Sequence, residues 1–91
     1  MAVSVRIPTI LRTYTAGESE VGADGGTLAE VLDDLERHHA GIRARVLDDA
    51  GGLRRFVNVY VGNDDVRFLD GLLTPTPEGT QISIIPAVAG G

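Results

Sequence analysis

An amphipathic helical segment in the first half of the chain limits the fold more than any other feature. Its apolar side chains recur at i, i+3, i+4 and i+7 along one helix face: Leu28, Val31, Leu32 and Leu35. Thr27 and Glu30 have the spacing of a capping box, which predicts that the helix begins there, and Gly41 is placed as its C′ residue. The helix therefore has a single apolar stripe to bury against another layer.

Five other segments have the composition or the alternation of β-strands. We predict strands at residues 3–7, 18–21, 56–61, 66–68 and 80–85. The first two are expected to form a hairpin across the turn-rich residues 13–17, and residues 63–65 to turn into the fourth strand. Residues 42–47 are expected to form a short helical or irregular turn.

The alternation within the strands predicts which side chains face the helix. Val57, Val59 and Val61 share one face of the strongest strand, and Ile82 and Ile84 share one face of the last. The order β-β-α-β-β-β describes an α+β fold in which one main helix lies across a mixed sheet of about five strands. A length of 91 residues allows one domain with one modest core.

The charge of the chain limits its partners. Eight arginines against thirteen acidic residues give a net charge of −5 at pH 7. This charge repels phosphate backbones and anionic lipids, so we expect neither nucleic acid nor a membrane as a partner. Arg6 and Pro8 interrupt the first apolar run, and no run reaches the length of a membrane helix, so a cytoplasmic location is expected.

Cysteine and lysine, two residue types that can supply a nucleophilic side chain, are both absent. Without cysteine there is no side-chain thiolate, so any sulfur chemistry must use another group. Without lysine there is neither a Walker A motif nor a Schiff base. We therefore expect no cofactor bound to the chain, and any ATP that is used must be bound by another protein.

The segment from residue 86 to residue 91 differs from the rest of the chain. We predict a folded body at residues 1–85 and a flexible tail at residues 86–91, read in sequence as Pro86, Ala87, Val88, Ala89, Gly90 and Gly91. Six residues can extend about 20 Å, enough to enter the active site of a partner. Two residues without a Cβ fit a narrow slot, and the reactive group would then be the carboxylate of Gly91. A frayed terminus without a function is the alternative.

Other polar clusters have simpler explanations than catalysis. His38 and His39 point about 100° apart on a helix and suit the negative end of its dipole, so we expect no metal site. The three pairs of neighbouring aspartates are expected on a solvent-exposed face or in turns, where solvation explains them: residues 33–34, 48–49 and 64–65. No catalytic motif that would form a self-contained active site is present.

One face of the sheet is expected to dock a partner. If the valines face the helix, Phe56, Asn58 and Tyr60 lie on the opposite face, where an uncovered aromatic can contact another protein. Arg54 and Arg55 precede this strand and are candidates to bind an acidic surface, although a solvated loop is the alternative.

The element order, the length and several segments together resemble the ubiquitin-like sulfur carriers of the ThiS and MoaD family, and within it most of all the actinobacterial CysO branch. The similar segments are residues 7–12, 55–61 and 65–68 and the ending Pro-Ala-Val-Ala-Gly-Gly. The resemblance runs through nearly the whole chain and implies a β-grasp fold. Length differences are expected in the loop of residues 48–52.

The resemblance also implies a reaction sequence performed by partner enzymes. An E1-like adenylyltransferase would use ATP and magnesium to adenylate Gly91, and sulfur would then replace the adenylate to give a thiocarboxylate. A PLP-dependent cysteine synthase would accept this sulfur on an aminoacrylate derived from O-phosphoserine. A metal-dependent peptidase would release the cysteine from Gly91.

Three alternatives stay open at this point. The recipient of the sulfur could instead be a molybdopterin precursor, a thiamine precursor or a secondary metabolite. The chain could be a protein modifier that is joined through Gly91 to lysines of other proteins. It could also be a β-grasp interaction module whose terminus is inert.

Overall fold

The computed structural model describes residues 2–86 of the chain. These residues form five strands and two α-helices: β1 Ala2–Arg6, β2 Glu20–Asp24, α1 Leu28–His38, α2 Arg43–Val46, β3 Val57–Val61, β4 Asp64–Asp65 and β5 Gln81–Pro86. Three 3-10 helices complete the connections: Thr9–Thr15, Val66–Phe68 and Gly71–Leu73. Within residues 2–86, neither α-helix has the length and apolar character needed to cross a membrane.

The strands form one mixed sheet in the order β2-β1-β5-β3-β4. β1 and β2 are an antiparallel hairpin, as predicted, and β3 pairs antiparallel with both β4 and β5. β5 pairs in parallel with β1, which makes the last strand the central one. The prediction of a five-stranded mixed sheet with one main helix across it is confirmed.

The core lies between α1 and one face of the sheet. Alternate residues of the strands are buried, as their period-two pattern predicts: Val3, Val5, Val57, Val59, Ile82 and Ile84. The helical stripe of Leu28, Val31, Leu32 and Leu35 is buried against them. Val61 is only partly buried and packs at the margin of this core.

The start of α1 follows the predicted cap. The Thr27 side chain accepts a hydrogen bond from the backbone N–H of Glu30 over 3.4 Å, while the Glu30 carboxylate accepts one from the N–H of Gly26 over 2.7 Å. The C-cap is His39, so Gly41 lies one residue beyond the C′ position that we predicted for it. Gly41 instead takes a positive φ of 99° in the turn that leads to α2.

The carboxylate of Glu36 fixes this turn. It accepts hydrogen bonds from the backbone N–H groups of Gly41, over 2.9 Å, and of Arg43, over 3.0 Å. These two bonds favour the charged form and hold the pKa of Glu36 below its ordinary value. The short helical turn predicted over residues 42–47 is present as α2.

Asp34 corrects the prediction that the aspartate pairs are solvated. Its side chain is buried between α1 and β2, where it accepts hydrogen bonds from the N–H of Asp24, over 2.9 Å, and from Arg37, over 2.7 Å. The Asp24 bond, followed by Arg37 and His38, holds the pKa of Asp34 below its ordinary value against the opposing effect of burial. Asp34 is therefore a link between two elements.

The predicted fourth strand is wrong. Val66–Phe68 forms a 3-10 helix, and the strand is the preceding pair Asp64–Asp65, which was expected to be a turn. The Asp65 side chain accepts a hydrogen bond from the backbone N–H of Arg67 over 2.8 Å, and Val66 is fully buried. The segment is therefore a capped turn around one buried valine. The sequence did not distinguish it from a strand, because three residues are too few to separate a helical from a strand periodicity.

Other boundaries also differ from the prediction. The 3-10 helix Thr9–Thr15 was not predicted and overlaps the expected turn at residues 13–17, and β2 begins at Glu20, two residues later than expected. Phe56 lies just before β3 and not within it. These differences do not change which side chains of β1, β3 and β5 face the core.

Candidate functional site

β5 determines where the predicted tail begins. It pairs with β1 as far as Ser83 and with β3 as far as Pro86, which lies opposite Val57. Pro86, expected to be the first residue of the tail, is thus the last residue of the central strand. The other tail residues lie outside the described part of the chain, and their role stays a prediction: Ala87, Val88, Ala89, Gly90 and Gly91.

Two open grooves flank Pro86. The first has a volume of about 430 Å³ and is lined by residues that include Arg6, Arg12 and Ile85. The second has a volume of about 310 Å³ and is lined by residues that include Tyr14 and Arg45. No acidic residue among residues 2–86 lines either groove. The end of β5 is therefore surrounded by apolar and cationic side chains.

The sheet face opposite α1 carries two of the predicted docking residues. Asn58 and Tyr60 alternate with the buried Val57 and Val59 of β3, so they lie on the face opposite α1, and both are half-buried. Their neighbours on β5 are Ile85, which pairs with Asn58, and Ser83, which pairs with Tyr60. The predicted placement of Asn58 and Tyr60 on the face opposite α1 is confirmed, while their role in docking remains a proposal.

Part of this face is already occupied by contacts within the chain. The Asn58 side-chain oxygen accepts a hydrogen bond from Arg67 over 2.8 Å, and Arg67 also donates to the carbonyl of Arg54 over 2.7 Å. Phe56 is 51% exposed, just before β3. Phe56 is thus more available to a partner than Asn58.

The two predicted arginines differ in their surroundings. Arg54 donates from Nε to the carbonyl of Ala44 over 2.8 Å and so joins the start of β3 to α2. Arg55 is exposed and makes no hydrogen bond or ion pair with any residue in the described range 2–86. Of the two, Arg55 is the one whose whole side chain remains available to a partner.

The two histidines lie at the C-terminal end of α1, His38 as its last residue and His39 as its C-cap. Nδ1 of His38 lies 3.0 Å from the carbonyl oxygen of Asp34, within the last turn of α1. In the part of the chain that the structure describes, no cluster of three or more histidine, cysteine, aspartate or glutamate side chains is arranged to hold a metal ion.

Sequence reasoning missed three residues that line the grooves beside Pro86. Arg6 has the outward position in the alternation of β1, which is a signal that could have indicated it. Arg12 and Arg45 are far apart in sequence, and only the folded chain brings both beside Pro86. Tyr14 holds Arg45 in this groove, because the Tyr14 hydroxyl accepts a hydrogen bond from Arg45 over 2.6 Å.

A mixed sheet with a central last strand and one helix across it defines a β-grasp domain, the fold of ubiquitin-like proteins. No catalytic centre is evident among residues 2–86. The surface feature that distinguishes this part of the chain is the pair of grooves beside Pro86, at the end of β5. The chain belongs to the ThiS family, whose model matches residues 5–91. The resemblance stated from the sequence is confirmed.

Known proteins that are similar to this chain include the following three. The "Sulfur carrier protein CysO" of Mycobacterium tuberculosis (strain ATCC 25618 / H37Rv) is 50% identical over 93 residues, with 100% of both chains covered. A chain in the crystal structure of the Amycolatopsis orientalis BexX/CysO complex is 53% identical, with 98% of this chain and 99% of that chain covered and a TM-score of 0.92. The "Small archaeal modifier protein 3" of Haloferax volcanii is 37% identical over 68 residues, which cover 75% of this chain and 73% of the relative.

Proposed function

We propose that this chain is a sulfur carrier that holds sulfur as a thiocarboxylate at Gly91. Membership of the ThiS family and similarity over the full length to a protein named as a sulfur carrier support this role. The chain is a protein substrate for partner enzymes and not itself an enzyme. Because its partners consume ATP, we place it in the cytoplasm.

The position of Pro86 is the observation that carries the proposal. β5 pairs with β1 as far as Ser83 and with β3 as far as Pro86, so the point where the chain leaves the sheet is fixed by pairing with β3. The five residues beyond Pro86 can span about 17 Å when extended. This reach is long enough for Gly91 to enter a partner's active site while the body stays outside.

Activation of Gly91 requires a leaving group. A carboxylate is a poor acyl donor, so one of its oxygens attacks the α-phosphorus of ATP, and pyrophosphate leaves. The acyl-adenylate then accepts sulfur from the activating enzyme, and AMP departs with one carboxylate oxygen. The E1-like enzyme supplies ATP, magnesium and sulfur, because this chain has neither a lysine for a Walker A motif nor a cysteine.

The resulting thiocarboxylate is ionised at neutral pH and nucleophilic, as a thiolate is. We propose that a PLP-dependent cysteine synthase accepts it on an aminoacrylate formed from O-phosphoserine. An acyl shift then links cysteine to Gly91 through an amide, and a metal-dependent peptidase releases it. The similarity to a protein named CysO favours this recipient. The complex of a CysO with BexX names a different partner, so a precursor of molybdopterin, of thiamine or of a secondary metabolite is the alternative.

Intact-protein mass spectrometry of the chain from native cells tests the carrier role. The expected result is a species in which one oxygen at Gly91 is replaced by sulfur. A variant with one extra alanine after Gly91 is the control, and it should show no such species because the added Cβ blocks the slot that two glycines fit. Sulfur loading of the extended variant, or none of the wild-type chain during sulfur-replete growth, would overturn the proposal.

The recipient needs a separate experiment. The thiocarboxylate form is incubated with O-phosphoserine and the cysteine synthase of the same organism, and cysteine linked to Gly91 is measured. Absence of this product, with a precursor of another sulfur compound thiolated instead, would show that the recipient is wrong although the carrier role is right.

A second function, protein modification, is favoured by one observation. A relative that is 37% identical over 68 residues is named a small archaeal modifier protein. Conjugation would join Gly91 to lysines of other proteins, and self-linked chains through lysine are impossible because this chain has none. Immunoblots of cell extracts for conjugates of higher mass discriminate the two functions, and a ladder that disappears when Gly91 is deleted would favour the modifier.

A further inference from the structure

Cationic side chains are concentrated around the end of β5, although the whole chain is acidic. Arg6 and Arg12 line the groove on one side of Pro86, and Arg45 lines the groove on the other. We call these three residues the arginine collar. Within the described residues, no carboxylate lines either of these two grooves.

Three further grooves formed by the described residues have the opposite charge. One is lined by four acidic residues and two histidines: Glu18, Glu20, Asp24, Asp34, His38 and His39. Another contains Glu36, Asp48 and Asp49 beside Arg43, and a third contains Asp24, Glu30 and Asp33 beside Arg37. A net charge of −5 is therefore unevenly distributed, because carboxylates line these three grooves and not the two beside Pro86.

The arginines of the collar differ from those of the helix layer in their contacts. Arg37 and Arg43 form ion pairs with Asp34, over 2.7 Å, and with Asp33, over 2.9 Å. Arg12 and Arg45 instead donate only to neutral oxygens, the carbonyl of Ile7 and the hydroxyl of Tyr14.

The side chain of Arg6 makes no hydrogen bond or ion pair within residues 2–86, although Glu20 of β2 lies opposite Arg6 in the hairpin. The charges of the collar are thus not neutralised by carboxylates of the described chain, whereas those of Arg37 and Arg43 are.

The geometry points to an acidic protein surface as the partner of the collar. The three arginines line two separate grooves that share Pro86 and Ile84, so a partner that contacts all three must span both grooves. Exposed apolar side chains accompany the arginines, since Ile10 is 69% and Ile85 is 47% exposed. Apolar contacts surrounded by charged side chains are typical of protein interfaces.

The inference rests on the proposed function, because the acidic partner is the mouth of the channel into which the tail passes. A channel with carboxylates at its entrance attracts the collar and is repelled by the acidic grooves elsewhere on the chain. Such complementarity raises the rate of encounter and orients the body with the end of β5 towards the channel. The collar thereby selects which end of the molecule approaches the enzyme.

The test uses the E1-like activating enzyme of the same organism and measures ATP–pyrophosphate exchange at several NaCl concentrations. Arg6→Gln and Arg12→Gln are each expected to lower kcat/KM about 2- to 5-fold at low salt, through KM and not kcat. The kcat/KM of the wild-type chain should also fall more steeply with rising NaCl concentration than the kcat/KM of either variant. Arg37→Gln is the matched control, because it removes the same charge from the helix layer.

Arg6→Gln guards against a folding artefact, because the Arg6 side chain has no hydrogen bond or ion pair to lose within residues 2–86. If both collar variants match Arg37→Gln in KM and in salt dependence while the wild-type chain is activated, the collar inference is wrong and the proposed function stands. If the wild-type chain is not activated at all, the proposed function fails, and a direct binding measurement decides the inference.

That measurement follows backbone amide shifts of the isotope-labelled chain while a hexaglutamate peptide is added. The largest shifts are expected at Arg6, Arg12 and Arg45, and Arg6→Gln should weaken binding. Shifts centred on α1, or tighter binding of a hexauridylate of matched charge, would overturn an acidic protein surface as the partner.

Discussion

The side chain of Asp34 on α1 accepts a hydrogen bond from the backbone N–H of Asp24 on β2, over 2.9 Å. This bond ties the helix to the edge strand of the sheet, and Arg37 completes the surroundings of the carboxylate. We predict that Asp34→Ala lowers the free energy of unfolding by about 1–3 kcal/mol, since a buried charged acceptor with two donors is lost. Urea unfolding at neutral pH measures the change.

Asp33→Ala is the matched control for this change. Asp33 is the preceding aspartate, its side chain is 56% exposed, and it forms an ion pair with Arg43. Surface ion pairs contribute about 0–1 kcal/mol, so the control should unfold close to the wild-type chain. Equal losses for the two variants would contradict a specific role for Asp34.

The lowered pKa of Asp34 predicts how its contribution depends on pH. The pKa falls below its ordinary value of 3.8 in the folded chain, mainly because of the Asp24 bond, so the unfolded chain binds the proton more readily. The stabilisation is complete well above pH 3.8 and is lost as the pH falls through the lower folded pKa. The stability difference between wild type and Asp34→Asn should therefore shrink between about pH 5 and pH 2. A difference that grows over this range would show that the sign is wrong.

Two adjacent isoleucines of β5 should differ in their contribution to stability. Ile84 is 3% exposed and faces the core, whereas Ile85 is 47% exposed on the opposite face. We expect Ile84→Ala to lower the free energy of unfolding by about 2–4 kcal/mol, because it leaves a cavity under the central strand. Ile85→Ala should cost less than about 1 kcal/mol. Thermal or urea unfolding of the pair checks the inward face of β5, and a reversed order would contradict it.

Gly25 lies where the backbone of α1 passes closely. A Cβ at this position would be 2.6 Å from the backbone nitrogen of Val31, and a backbone atom cannot move aside as a flexible side chain does. We predict that Gly25→Ala destabilises the fold by about 1–3 kcal/mol. Gly22→Ala is the control, since the nearest atom to its Cβ would be 4.0 Å away. Equal unfolding midpoints for the two variants would contradict the predicted clash.

Two exposed phenylalanines allow a test of the docking face. Phe56 is 51% exposed beside the face that carries Asn58 and Tyr60, and Phe68 is 87% exposed in the 3-10 helix after β4. If the β3 side docks the activating enzyme, Phe56→Ala should raise KM in pyrophosphate exchange about 5- to 10-fold, and Phe68→Ala should leave it unchanged. A larger effect at Phe68 would move the docking surface away from β3.

Most of the fold follows from periodicity. The stripe of α1 and the alternation in β1, β3 and β5 each have one dominant explanation, and every residue that these patterns select is buried except Val61. Val66–Phe68 was predicted wrongly because three residues fit a strand and a 3-10 turn equally well. The bond from Arg67 to the Asp65 side chain decides between them, and it is a contact of the folded chain.

The candidate site was less predictable than the fold. Phe56, Asn58 and Tyr60 follow from the alternation of one strand, so a local pattern was enough to place them. The arginine collar and Asp34 depend on partners distant in sequence, since Arg45 binds Tyr14 and Asp34 binds a backbone group ten residues earlier. Such residues look like ordinary surface charges until the topology is known.

The central position of β5 has a consequence for protein synthesis. Because β1 and β3 pair with this strand from opposite sides, the ribosome must release the last segment before the two halves of the sheet can join. A truncated translation product would lack the middle of its sheet, so it would expose apolar surface to proteases. Degradation would therefore tend to remove incomplete carriers before they compete for the activating enzyme.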